Sequence, residues 1–238
     1  MNIQPIQTKI MQPPQDDLYK ELDAVLPTLK DKDVLVVSSK VVAIHEGRCL
    51  AKNLTDKKDL VAAEADVIIE RPYWPAPLTI TRGAFIGAAG IDESNSGDYF
   101  TMLPKDAFES ASKLWLYLTN KYNLTELGIV ITDSRSLPLR YGATAVSIGW
   151  WGIEPLQDHV GKPDLFGREM QYERSNIVDG IAASAGLVMG EVAECTPLVL
   201  IRDIPSIKFT QHNTKTDIIS SFEDDTFRVL YEGFLPPK

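Results

Sequence analysis

The chain has 238 residues, 44% hydrophobic and 24% charged, with a formal net charge of -9. This is the composition of a globular protein with enough chain to bury a substantial core. The acidity disfavours broad nucleic-acid binding but leaves room for anionic small substrates where a bound cation reverses the local field. Two cysteines, Cys49 and Cys195, make no disulfide framework and no C-x-x-C metal pair. The N-terminal "MNIQPIQTKIMQPPQDD" has no basic segment followed by an apolar one, and no apolar run approaches membrane-span length. A cytoplasmic protein, free of membrane and nucleic acid, is expected.

In chain order, "DDLYKELDAVLPTLK" predicts a helix with Leu18, Leu22, Val25, Leu26 and Leu29 on one face, limited or bent by Pro27. "DVLVVSS" is an apolar run without alternation, which predicts a strand buried on both faces. "KVVAIHEG" fits a helical turn or a strand equally. "KKDLVAAEADVII" predicts a helix over residues 57–69. "RPYWPAP", with three prolines, breaks regular structure. "LTITRGAFIGAAGID" predicts a hairpin turning near Gly83. Ala111, Leu114, Trp115, Leu118 and Tyr122 predict a further amphipathic helix. "LGIVIT" and "ATAVSIGWWGI" predict strands, the first ending at Thr132. "NIVDGIAASAGLVMG" predicts an apolar helix rich in small residues, suited to close packing, including against another subunit. "TPLVLIRDI" predicts a late strand.

The irregular order argues for α+β, with mixed or antiparallel sheets and packed helices, rather than a doubly wound sheet. The proline stretch and the polar run near Arg174 suggest two subdomains. One would combine residues 1–76 and 175–238 and carry nucleotide-binding segments. The other, residues 77–174, would carry metal-binding strand ends.

The chain has no G-x-x-x-x-G-K-[ST] loop, no G-x-G-x-x-G fingerprint and no G-x-S-x-G elbow. His45, His159 and His212 have no metal-ligand spacing. What remains is oxygen chemistry after strands. "AAGIDESN" offers Asp92, Glu93, Ser94 and Asn95, and "ITDSR" offers Asp133 and Ser134. Such hard ligands suit magnesium or manganese, which neutralise phosphates during phosphoryl transfer. Arg135 and Arg140 could grip a phosphate or carboxylate. "VVSSK" supplies hydroxyls and backbone N–H groups for a phosphate cradle. The same residue types are ordinary turn formers, so each of these stretches also reads as a polar turn.

Five segments in order, "DVLVVSSKVVAIHEGR", "AGIDESN", "GIVITDS" followed by P-x-R-x-G, "GKPDLFGRE" and "IAASAGLVMGE", resemble the coenzyme F420-0:L-glutamate ligase family over residues 6–204. That resemblance implies an α+β fold, an intertwined homodimer, and use of GTP or ATP with Mg2+ or Mn2+ to join L-glutamate to a carboxylate. It implies Asp92, Asp133 and Ser134 as metal ligands, Ser134 standing where the family has threonine. It implies Ser38, Ser39 and Asn95 as nucleotide contacts, with Gln7, Thr8, Lys9 and Ile10 matching a nucleotide segment by position only. Asp133, Arg140 and Arg135 would serve catalysis, with Arg48 and Arg168 as further anion-gripping candidates and no general base beyond His45 or Glu46. Lys208 and Gln211, in "RDIPSIKFTQ", would close over the nucleotide.

The chain also departs from the family. Ile44 replaces a lysine, Ala88 replaces an asparagine, and "TDSRSLPLRYG" gains Arg135 where a glycine-containing segment is usual. These changes flank the metal positions and suggest an altered acceptor. Segments such as "SKVVAIHEGRC" and "IRDIP" are similar to a branch described as folate-metabolism γ-glutamate ligases, which implies a folate-type acceptor. A deazaflavin acceptor is the alternative. A nucleotide-binding regulator without ligase activity is another, since the lysine is lost at Ile44, and a metal-dependent phosphohydrolase fits the carboxylates alone.

Overall fold

In the computed structural model, which describes residues 1–205 and 207–235, the chain opens with β1 (Asn2–Ile6), α1 (Leu18–Val25), β2 (Asp33–Ser38) and α2 (Ser39–His45). A run of short elements follows: β3 (Cys49–Ala51), α3 (Lys57–Glu64), β4 (Val67–Ile69), β5 (Leu78–Thr81), β6 (Ala84–Gly87) and β7 (Tyr99–Thr101). The second half holds α4 (Ala107–Tyr122), β8 (Leu127–Ser136), β9 (Ala143–Trp151), β10 (Leu156–Asp158), β11 (Arg174–Asn176), α5 (Ile177–Met189) and β12 (Leu198–Arg202).

The main sheet has five strands in the order β1-β12-β2-β8-β9. β2 and β8 are parallel, and the other neighbours are antiparallel. This mixed sheet, with helices packed on it, is the α+β architecture the element order predicts. The absence of alternation in "DVLVVSS" has a direct cause. Leu35 and Val37 point into a core with Leu18, Leu22, Ala111, Leu114 and Leu118, so α1 and α4 cover one face. Val34 and Val36 point the other way, against Val178, Ile181, Ala182 and Ala185 of α5. A strand covered on both faces has no solvent side to mark with polar residues.

Local signals set the element ends. Asp17 caps α1 by accepting from the Tyr19 and Lys20 backbone N–H groups, and Leu26 turns extended directly before Pro27. Asp106 caps α4 in the same way through Phe108 and Glu109. The β5–β6 hairpin turns on Arg82 and Gly83, both at positive φ (52° and 79°), the turn whose twist suits a hairpin. A Cβ on Gly149 would lie 2.5 Å from the Ala107 carbonyl carbon, so the start of α4 rests on β9 where a side chain is missing.

Three expectations change. The helix expected over residues 57–69 stops at Glu64, because the β-branched Val67, Ile68 and Ile69 pair with β5 instead. "KVVAIHEG" resolves as the helix α2. The strand expected to end at Thr132 runs on to Ser136, with a register shift between Ile131 and Thr132, because β9 continues to pair with it. The small residues of α5 also find a use inside the chain: a Cβ on Gly186 would lie 2.7 Å from the Ala145 Cβ of β9.

A pair β3–β7 and a three-stranded sheet β4–β5–β6 stand beside the main sheet. β8 and β9, within residues 77–174, complete the same sheet as β1 and β2. Among the described residues no helix is long and apolar enough to cross a membrane.

Candidate active-site cleft

β2 and β8 run side by side and their pairing ends at Ser38 opposite Thr132. There β2 turns into α2, while β8 continues for four residues bonded to β9 alone. The polar residues after Thr132 therefore sit in a strand with one open edge rather than in a turn. A cleft of about 970 Å3 opens at that edge. Asp133, Ser134 and Ser38 line it from the main sheet, Lys40 from the first turn of α2, and Asp92, Ser94 and Asn95 from the turn after β6.

That turn is unusual in its backbone. Ala88 and Ala89 both have positive φ (50° and 54°), a conformation costly for residues with a Cβ. It is held from beneath by the buried Thr79, whose hydroxyl accepts from the Ala89 N–H at 2.9 Å. The distortion delivers Asp92 to the cleft, where its own N–H and carbonyl still pair with Thr101 at 2.9 Å each.

Asp92 lies 2.5 Å from the Lys40 ammonium. Its carboxylate also accepts from the Ser94 N–H at 2.8 Å and hydroxyl at 2.9 Å. Burial works to raise its pKa, but Lys40 and Ser94 together hold it below the ordinary carboxylate range. Lys40 also donates to the Ser94 carbonyl at 2.7 Å and hydroxyl at 3.0 Å. Asp133 behaves in the opposite way. Its side chain is partly open to the cleft, yet desolvation by the surrounding protein pushes it up to about 6, and the nearby Asp92 charge adds to the rise. The Ser134 N–H, a hydrogen bond from Ser39 and the charge of Lys40 oppose that rise.

Two carboxylates that disfavour each other's charge, ringed by hydroxyl and carbonyl oxygens, form an oxygen-only donor set. Such a set fits a hard divalent cation and not a thiophilic one. Among the described residues no three His, Cys, Asp or Glu side chains converge on one point. A cation here would rest on Asp92 and Asp133 with Ser94, Ser134 and carbonyl oxygens, at the place now balanced by the Lys40 ammonium.

Of the residues expected at the nucleotide, Thr8, Lys9, Ile10, Ser38 and Asn95 line the cleft, and Ser39 reaches it through its hydrogen bond to Asp133. Gln7 is exposed and does not line it. Lys208 and Gln211 line neither this cleft nor a second cavity of about 600 Å3, because their segment pairs elsewhere. Ile153 and Phe209 form a β-bridge, and the Lys208 carbonyl accepts from the Glu154 N–H at 2.9 Å. Arg140 sits on the exposed connection between β8 and β9, donating to the Leu139 carbonyl at 3.1 Å, away from the cleft. Arg135 does line it.

The weaker candidates are engaged in the scaffold. Arg48 pairs with Glu64 at 2.6 Å. His45 Nδ1 lies 3.3 Å from the Leu18 N–H at the start of α1. Glu46 accepts from the Lys105 N–H at 2.9 Å and from the Ser110 hydroxyl. Arg168 is exposed on the connection between β10 and β11.

Two contributions escaped the sequence reading. Lys40 was visible at the end of "VVSSK", but nothing in the sequence joined it to Asp92, 52 residues later. The loop of residues 189–197 also lines the cleft. The Asn95 amide donates to the Val192 carbonyl at 2.6 Å, and the Thr8 N–H to the Cys195 carbonyl at 2.9 Å, so this loop is tied to two other segments that line the cleft. Its signal was Gly190 directly after a helix, followed by Glu191.

The chain matches the family model described as F420-0:Gamma-glutamyl ligase over residues 5–203. It is 33% identical to the coenzyme F420:L-glutamate ligase of Methanococcus maripaludis over 231 residues, covering 90% of this chain and 92% of that protein. It is 31% identical to the protein of the same name from Halobacterium salinarum, covering 93% and 94%. It is 32% identical to that from Methanopyrus kandleri, covering 96% and 98%. A cleft built on Asp92 and Asp133 therefore sits within a chain that belongs to the F420-0:gamma-glutamyl ligase family.

Proposed function

We propose that this protein is a nucleotide- and metal-dependent γ-glutamyl ligase that joins L-glutamate to the carboxylate of F420-0. One observation carries the reading: Asp92, Lys40 and Asp133 meet in a cleft of about 970 Å3 at the shared end of two parallel strands. The folate-type acceptor expected from the sequence has no support among the relatives, all three of which carry the deazaflavin coenzyme in their names. The deazaflavin acceptor replaces it.

A carboxylate is a poor electrophile and must be activated before an amine can attack. In the proposed reaction an acceptor carboxylate oxygen attacks the γ-phosphorus of GTP or ATP, and the nucleoside diphosphate leaves. The glutamate amine then adds to the acyl phosphate, loses a proton and expels inorganic phosphate. No enzyme nucleophile is needed, in keeping with a cleft that no histidine lines among the described residues. Mg2+ or Mn2+, held by Asp92, Asp133 and Ser134, would supply positive charge to the phosphate oxygens. Lys40 adds a second positive charge. Ser38, Ser39, Asn95 and the Thr8, Lys9 and Ile10 segment position the nucleotide, and the 189–197 loop shields it from water. Catalysis on this scheme is positioning and charge neutralisation.

The test is direct. The protein is incubated with L-glutamate, GTP or ATP, Mg2+ or Mn2+, and either F420-0 or pteroate, and the products are read by mass spectrometry. Glutamylated F420-0 is expected. Nucleotide binding without diphosphate release would refute the ligase assignment in favour of a regulator.

The same scheme includes a homodimer. Leu139, Tyr141, Leu165, Phe166 and Tyr172 are almost fully exposed on two connections, β8–β9 and β10–β11. Large apolar side chains left exposed in this way favour a second copy as their cover.

A further inference from the structure

A second cavity, of about 600 Å3, draws on neighbouring residues of β6, β8 and β9 together with the start of α4 and the C-terminal segment. The β5–β6 hairpin supplies Ile80 and Phe85, α4 and β9 supply Phe108 and Trp150, and the C-terminal segment supplies Phe222 and Tyr231. That last wall lies beyond the family match, which ends at residue 203. The C-terminal segment is fixed at several points. The Trp150 indole donates to the Thr214 hydroxyl at 2.9 Å, Lys215 pairs with Asp106 at 3.4 Å, and Tyr231 packs 6.3 Å from Phe85 between ring centroids.

The walls are aromatic and arranged edge to face. The Phe108 and Trp150 centroids are 4.6 Å apart at 73°, and those of Phe222 and Tyr231 6.0 Å apart at 65°. Such surfaces accept a planar ring by offset or edge contact, and the volume is that of a small-molecule site. The carboxylates on the walls are already engaged. Asp106 caps α4, Asp179 accepts from the Ser147 hydroxyl and the Asn176 amide, and Asp225 accepts from the Tyr231 hydroxyl.

Arg135 is different. Among the described residues it is the one that lines both this cavity and the catalytic cleft. Its Nε is buried and has no hydrogen-bond partner among the described residues. A buried guanidinium donor left unpaired is unfavourable, and a ligand acceptor removes the penalty. Arg135 also lies two residues beyond Asp133 on β8, which places it on the same side of the strand about 7 Å further along.

We infer that the second cavity receives the ring of the acceptor, a planar heteroaromatic group on a linker that ends in a carboxylate, and that Arg135 holds an anionic group of that linker as it passes into the cleft. This rests on the ligase reading and adds the seat of its second substrate. Arg135 then sets which acceptor is used, and the change from the family pattern after Ser134 acts on acceptor fit rather than on phosphoryl transfer.

Two variants test it in the full-length protein. Arg135→Gln removes the anion grip, with Arg135→Lys as the conservative control. Ile219→Trp fills the cavity from the C-terminal segment without touching the cleft, Ile219 being a lining residue of the second cavity alone. The acceptor KM is measured with F420-0 and with pteroate by mass spectrometry of the glutamylated product. Nucleotide affinity is measured separately by calorimetry, and folding by circular dichroism. The expected result is a rise in acceptor KM of about tenfold or more in Arg135→Gln, partly restored by lysine. Ile219→Trp should raise it similarly while nucleotide affinity stays at the wild-type value. An acceptor KM within about twofold of wild type in both Arg135→Gln and Ile219→Trp overturns the pocket and leaves the ligase intact. A wild-type protein that glutamylates neither acceptor overturns the ligase reading, and the pocket with it.

Discussion

Lys40→Gln is the most informative single change to the cleft. In the metal-free protein the Lys40 ammonium, 2.5 Å from Asp92, is the cation that offsets both Asp92 and Asp133. The Lys40 side chain is 23% exposed and that of Asp92 43% exposed, so solvent screens much of the attraction. The pair is worth about 1 kcal/mol on that ground, and its loss also leaves two carboxylates unbalanced, for a total of about 1–2 kcal/mol. In a chain of this length that lowers Tm by about 3–6 °C. A divalent cation at the same place should replace the missing charge, because a ligand at about 100 times its Kd adds about 2.7 kcal/mol. The assay is differential scanning calorimetry in chelator and then across a Mn2+ titration. Lys40→Gln should start lower than wild type, gain more on titration, and reach half-maximal gain at a lower Mn2+ concentration, since the ammonium no longer competes. Equal Tm values in chelator, or identical Mn2+ curves, would refute the idea that Lys40 and a metal share the Asp92–Asp133 site.

Asp133→Asn should abolish glutamylation and nucleotide turnover while far-ultraviolet circular dichroism remains that of wild type, because the residue belongs to the cleft and not to either core. A variant that turns over at the wild-type rate with the same metal dependence would sink the assignment. Glu64, 15% exposed, joins α3 to Arg48 and to Arg82 of the hairpin turn. Burial works to raise its carboxyl, but the two guanidinium partners outweigh it and hold it below the ordinary value of 4.5. Its stabilisation is therefore full above about pH 4.5 and lost as pH falls through the lower folded value. Glu64→Gln should cost about 1–2 kcal/mol by urea denaturation at neutral pH and almost nothing in strong acid; an equal gap at both pH values argues against a charge effect. Leu139→Asp combined with Phe166→Asp should convert a dimer to a folded monomer in sedimentation equilibrium. Unchanged mass would place the interface elsewhere.

The segment of residues 127–142 shows how far the sequence could be read. Its apolar half was legible as a buried strand because burial on both faces leaves a continuous run of hydrophobic residues. Asp92 and Asp133 stood out as candidate hard ligands from residue type and from resemblance. The continuation of β8 through Ser136 was not, since it depends on pairing with β9, and Asp133, Ser134 and Arg135 carry the composition of a turn. That error matters for function. Along a strand, alternation puts Asp133 and Arg135 on one side at a fixed separation, whereas a turn would fix no such relation. Lys40 and the 189–197 loop were missed for a related reason. Both reach the cleft through contacts across many residues of chain, 52 between Lys40 and Asp92 and 97 between Asn95 and Val192, and local pattern carries no record of such contacts. Arg140 and Arg135 looked equivalent as sequence neighbours. Strand pairing separates them, because Arg135 lies within β8 opposite Thr144 while Arg140 lies beyond the last pair, Ser136 with Ala143. The residues proposed for the reaction were therefore readable one by one, and the one proposed for the acceptor became readable only once the register of β8 on β9 was known.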